Sequence, residues 1–399
     1  MQKYNKTAHY IDLPEYFSRT NVKPLWTLIV QAKTQIMKNP FFIVLFIPLL
    51  FWNCSDSSGT DDGIIDEQET GNLYFPPAQS AEWETVSITQ LGWNESAEQD
   101  VFDFLEDKDT KAFIILKDGK IVIEWYFGDH TQNTSWYWAS AGKTLTAFTV
   151  GLAQEEGFLN INDKTSDYLG QAWTSLPLEK ENLITIWHQL TMTSGMNDLQ
   201  FDCVTPDCLT YLADAGTRWA YHNGPYTLLQ SVVANSSEME WVDYFNSRLR
   251  DNIGMDGFWF STNDLNNVFF STARSMARFG LLNLNNGSWD GETILGDSTY
   301  RTAMKNTSQN LNKSYGYLWW LNGKQSYRTP VLQTEFQGEL ISNAPADTYA
   351  GLGKNDQKLY IIPSQGLVIV RMGEDSGEDL LGPSSFDNEL WEKLNAYIN

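Results

Sequence analysis

The apolar pattern of this chain puts its strands near the two ends and its helices in the middle. Residues 112–116 and 121–127 are β-rich runs flanking Asp118-Gly119, a pair that supplies the left-handed angles of a tight hairpin turn. Asn94 is placed to cap a helix running to about Leu105. Residues 141–156 then read as a helix that Gly157 is placed to end. From 160 to about 310 the pattern predicts helices and loops without sustained strand alternation. Strand-like runs return at 315–321, 359–362 and 367–372, and residues 386–398 close the chain as a helix. The expected fold is therefore α+β: one mixed sheet built from distant segments, 110–128 and 314–373, with a mainly helical lobe inserted at about 160–310. An apolar fraction of 42% with 16 Trp supplies a core large enough for a single domain over residues 81–399.

The N-terminus reads as processing signal rather than fold. Residues 40–52 carry no charge, follow Lys38 and lead to Cys54 and a polar stretch. Such a run is short for a bilayer span and has the length of a secretory signal core. Met37-Lys38 reads as the true start, which makes residues 1–36 an upstream extension and 1–53 as a whole extension plus signal. The run ending at a single cysteine resembles a bacterial lipoprotein signal, so Cys54 is the expected lipidation site and the membrane partner is a lipid anchor, not a spanning helix. Residues 54–80, rich in Ser, Gly, Asp and Glu, read as a flexible acidic tether. The expected location is the periplasm or cell surface. In an oxidising compartment Cys203 and Cys208, five residues apart around Pro206, are suited to a local disulfide, with free thiols as the alternative.

Charge and histidine content narrow the chemistry. With Lys+Arg 27 against Asp+Glu 50 and a net charge of -23, the chain lacks the cationic surface that nucleic acid requires. Four histidines without a close pair, and no Cys-x-x-Cys, leave little material for a metal site. No cofactor is expected.

An acyl-transfer enzyme without a usable histidine needs another base, and Ser140-Ala141-Gly142-Lys143 provides one. Residues three apart share a helix face, so the Lys143 amine can reach the Ser140 hydroxyl. The base must be neutral, and both burial and the positive end of a helix favour that form. Taken alone, the pair reads as a capping serine and a solvated lysine. The neighbours Trp136, Tyr137, Trp138, Leu145, Phe148 and Leu152 instead mark a buried helix start. Tyr221-His222-Asn223 is the second constellation. In isolation it reads as a packed loop, but a tyrosine beside a Ser/Lys pair can relay a proton, and an asparagine two residues on can hold the lysine and the substrate. His222 alternates with these two and points away if they point in. His188, in an apolar helical stretch, reads as structural. No Gly-x-Ser-x-Gly elbow occurs.

Ser140-x-x-Lys143 and Tyr221-x-Asn223, with the segments at 184–196, 271–280 and 315–320, together resemble the serine β-lactamase/penicillin-recognising superfamily. The closest branch looks like the class C-related serine hydrolases, which include esterases and 6-aminohexanoate-dimer hydrolases. The resemblance runs from about residue 85 to 399. It implies a β-lactamase-like antiparallel sheet flanked by helices, with Ser140 as nucleophile, Lys143 as its base, Tyr221 as proton relay and Asn223 as a positioning amide. The family's third motif, Lys-Thr-Gly or His-x-Gly on an edge strand, corresponds here to Tyr349-Ala350-Gly351-Leu352-Gly353-Lys354, with neither Lys nor His at its head. Gly353 and the Lys354 amide are then the expected partners of the Ser140 amide in an oxyanion hole. The missing cation is the one that would hold a penicillin carboxylate. An exported esterase or amidase acting on a small molecule is therefore favoured over a D-amino-acid peptidase or β-lactamase, and over a silent scaffold that binds peptidoglycan or a partner.

Overall fold

The structure, a computed structural model, describes residues 73–200, 202–261, 267–377 and 382–398. The expected signal segment, Cys54 and the tether up to residue 72 lie outside the described residues. The strands are β1 Thr110–Lys117, β2 Lys120–Tyr126, β3 Trp136–Tyr137, β4 Phe258–Phe260, β5 Val268–Ser271, β6 Ser288–Trp289, β7 Glu292–Thr293, β8 Trp320–Leu321, β9 Ser326–Tyr327, β10 Phe336–Gln337, β11 Tyr349–Gly353, β12 Gln357–Ile362 and β13 Leu367–Gly373. The α-helices are α1 Ile88–Leu91, α2 Glu98–Asp107, α3 Lys143–Glu155, α4 Ser166–Leu169, α5 Leu178–Glu181, α6 Ile186–Leu190, α7 Asn223–Ser237, α8 Trp241–Phe245, α9 Ala273–Leu284, α10 Ser298–Met304 and α11 Ser385–Ile398.

Six strands form one antiparallel sheet in the order β2-β1-β13-β12-β11-β8. Its first hairpin turns at Asp118 and Gly119, which both take positive φ, 48° and 85°, as a tight hairpin requires. β1 then pairs with β13 from Lys117↔Leu367 to Thr110↔Gly373, so the centre of the sheet joins the two ends of the domain. Successive side chains of a strand face opposite ways. Leu359 in β12 meets α9 at Gly280, whereas the next residue, Tyr360, packs its ring on Trp391 of α11 at 5.8 Å. Helices thus cover both faces, with α2 joining α11 through the stacked rings of Phe104 and Phe386. Cover on both sides explains why β12 and β13 are buried along their whole length and why residues 359–362 and 367–370 read as unbroken apolar stretches.

Three sequence expectations need correction. The middle of the chain is not free of strands: β3, β5 and β4 make a three-stranded antiparallel sheet, and β6 pairs with β7. These strands are two to four residues long, too short to display an alternation. The run 315–321 is strand only at β8, because Leu318 takes φ 60° and turns the chain back. Residues 73–80 are packed rather than tethered. Tyr74 N donates to Asp118 O at 3.0 Å, Phe75 meets the Trp289 ring at 5.1 Å, and buried Arg278 donates to the Pro76 and Pro77 carbonyls at 3.1 and 3.0 Å. The polar composition of this segment concealed a use for its backbone acceptors, which a buried guanidinium must find.

Candidate active site

The small β3-β5-β4 sheet delivers Ser140. Past β3, Trp138 N donates to Phe269 O at 2.8 Å and its indole N–H to Ser271 Oγ at 2.7 Å. Ala139 then adopts φ 47°, a left-handed angle that costs an ordinary residue about 1–3 kcal/mol and persists where neighbours hold it. A 3-10 turn, Ala139–Gly142, carries Ser140 directly into α3, whose first residue is Lys143.

Lys143 Nζ lies 2.8 Å from Ser140 Oγ. The amine is 1% exposed and the serine 9%. Burial drives the Lys143 pKa well below the ordinary ammonium range, while the Asp202 carboxylate pulls it partly back. A neutral amine at this distance accepts the hydroxyl proton. Tyr221 and Tyr226 wall the amine, their ring centroids 4.8 and 4.2 Å from Nζ. The Tyr221 ring is held by stacking on Trp320 at 5.8 Å and by the edge of Tyr315 at 6.3 Å. Its hydroxyl is buried and faces Ser140. Burial raises the phenol pKa, opposed by the facing Ser140 hydroxyl, so the group stays protonated as a donor.

Asn223 opens α7 beside them. Its Nδ2 donates to Asp202 Oδ1 at 2.6 Å, and its Oδ1 is buried without a partner. Asp202 was not singled out from the sequence. Its one signal was adjacency to Cys203, which is joined to Cys208 in a disulfide. Burial pushes the pKa of His222 down to about 4. His188 accepts from Thr185 N at 3.1 Å in the capping box of α6, a structural place. Among the described residues no group of three or more His, Cys, Asp or Glu is placed to hold a metal ion.

The end of β11 closes the remaining side. A Cβ at Gly353 would stand 3.0 Å from Ala141 N, 3.1 Å from Ser140 N and 2.6 Å from Trp138 O, the last closer than real contacts allow. Glycine is thus what lets the strand lie against the Ser140 turn. Lys354 follows with its side chain exposed.

A helix-covered antiparallel sheet whose neighbouring helix begins with a Ser-x-x-Lys turn defines a class of serine hydrolases. The chain belongs to the Beta-lactamase family, whose model matches residues 102–381. An uncharacterized protein of Alkalihalophilus pseudofirmus is 24% identical over an alignment 307 positions long that covers 67% of this chain and 84% of that protein. Among solved structures, a Bacillus anthracis protein provisionally assigned as a 6-aminohexanoate-dimer hydrolase superposes with a TM-score of 0.62 at 18% identity, covering 81% of this chain and 88% of that one. A family VIII carboxylesterase gives 0.56 at 13% identity over 75% and 96%. A penicillin-binding protein homologue from Pyrococcus abyssi gives 0.54 at 17% over 76% and 78%. At these identities the structural likeness is one of fold.

Proposed function

We propose that this member of the family is an exported hydrolase that cleaves a small, uncharged ester or amide through an acyl-enzyme on Ser140. Lys143 takes the hydroxyl proton, and Oγ bonds to the carbonyl carbon. The Ser140 and Lys354 amides hold the resulting oxyanion. As the tetrahedral intermediate collapses, Tyr221 gives its proton to the departing oxygen or nitrogen and regains one from Lys143. Water then repeats the sequence in reverse and releases the acid. The observation that carries this reading is the 2.8 Å approach of Nζ to Oγ in a buried pocket. An uncharged substrate is favoured because β11 offers no Lys or His at its head and the Asp202 carboxylate stands beside the pair. Both features disfavour an anionic penicillin or peptide carboxylate.

A fluorophosphonate probe should label the wild type and leave Ser140→Ala unlabelled; equal labelling of the variant removes the mechanism. If no acyl-enzyme mass forms on Ser140 with any of a panel of esters, aminohexanoate amides and a cephalosporin, the silent-scaffold reading takes its place. Export with a lipid at Cys54 belongs to the same proposal. Radiolabelled palmitate should enter the full chain and be absent from Cys54→Ala.

A further inference from the structure

The Ser140–Lys143 pair has a charged neighbour that none of the motifs names. An amide side chain has a donor end and an acceptor end. The Asn223 donor end is engaged by Asp202 at 2.6 Å, a charge-assisted bond that fixes which way the amide faces. What remains is the acceptor Oδ1, buried and unpartnered. A buried orphan of this kind is costly and is relieved when a donor arrives. Lys143 turns from a neutral into a charged, stronger donor each time it takes the Ser140 proton.

Asp202 owes its place to its loop. Cys203 is tied to Cys208, and Cys203 N donates to Gln200 O at 3.2 Å. The Cys203 carbonyl packs onto the start of α7 so closely that a Cβ at Gly224 would sit 2.2 Å from it. Asp202 is thereby pressed onto Asn223.

We propose that Asp202 is a positioning residue for Lys143, fixing the Asn223 amide and setting a negative charge beside the amine, and that the Cys203–Cys208 disulfide holds it there. This rests on the acyl-enzyme reading above. The groups facing the amine are Ser140 on its own turn, the Tyr221 and Tyr226 rings and the Asp202 charge. Tyr315 stands behind Tyr221. His222, on the same loop as Tyr221, is neutral above about pH 4, and Arg218 is engaged with Asp198 at 2.8 Å. Asp202 is thus the charge that favours the protonated amine.

The test is the pH dependence of kcat/KM for a neutral nitrophenyl ester, with Ser140→Ala as the blank. D202N keeps an acceptor for Asn223 Nδ2 and removes the charge. Its acidic limb should move to lower pH, because the lysine loses the carboxylate that raises its pKa. D202A removes the bond as well and should lower kcat by about 10- to 100-fold, the worth of a hydrogen bond to a charged group. The variant carrying both C203S and C208S should change in the direction of D202A while still unfolding cooperatively. A wild-type limb and wild-type kcat in D202N, in an enzyme silenced by Ser140→Ala, would overturn the inference and leave the mechanism standing. A double cysteine variant with wild-type kcat and limb would overturn the part given to the disulfide. Activity persisting in Ser140→Ala would instead sink the acyl-enzyme reading itself.

Discussion

A lysine can act as a base only while it is kept from its proton, and at position 143 burial of the amine at the positive end of α3 favours that neutral form. The same burial has a thermodynamic consequence. The folded pKa lies below the unfolded value, so between the two the unfolded chain holds the extra proton and stability rises with pH; below the folded pKa the penalty is complete. Lys143→Met should therefore abolish turnover and raise the Tm at neutral pH, by about 2–4 °C for each kcal/mol relieved. Calorimetry at pH 7 reads this directly, and a lower Tm would contradict it. Tyr221→Phe keeps the ring between Trp320 and Tyr315 and loses only the hydroxyl that faces Ser140. We expect kcat to fall about 10²–10⁴-fold with stability unchanged, measured by steady-state kinetics beside thermal unfolding. That Ser140, Lys143, Tyr221 and Asn223 belong to one candidate site was legible in the sequence because their types and spacing coincide with a family pattern. Asp202 was not, because its meaning lies in a contact across 21 positions and one acidic residue among 50 looks like any other.

At the level of elements, β11 is the piece most exposed to a small change. Gly353→Ala places a methyl against Trp138 O and the Ser140 amide, so the strand must move away from the turn it completes. Acylation should drop about 10²–10³-fold, the usual loss for one oxyanion donor, with a circular dichroism spectrum like the wild type; unchanged acylation would show that the strand end takes no part. The 118–119 hairpin, the strands at 359–362 and 367–372 and the last helix were readable because each is long, or its turn residues are distinctive. The β3-β5-β4 sheet was not. Its strands are assembled by aromatic contacts such as Phe258 on Phe270 at 5.4 Å, and a stretch like Phe-Trp-Phe has no period to detect.

Across the whole molecule, Arg371 joins what the sequence keeps apart. Fully buried on β13, it donates to Lys108 O at 2.6 Å, to Asn355 O at 2.8 Å, and to Asp356 O and Glu374 O at 3.1 Å each. Lysine offers no planar fork to replace these bonds, so Arg371→Lys should destabilise the fold by about 3 kcal/mol, measurable by urea unfolding. That strands from both ends share one sheet was visible in the apolar pattern; the order of those strands was not, since pairing partners leave no mark in a single sequence. The pairing of β1 with β13 also governs when the pocket around Ser140 and Lys143 can form. A nascent chain that has emerged only as far as its serine and lysine still lacks the strand that closes their pocket and the one that anchors the sheet. The walls of that pocket are thus complete only once the last third of the polypeptide has joined the sheet.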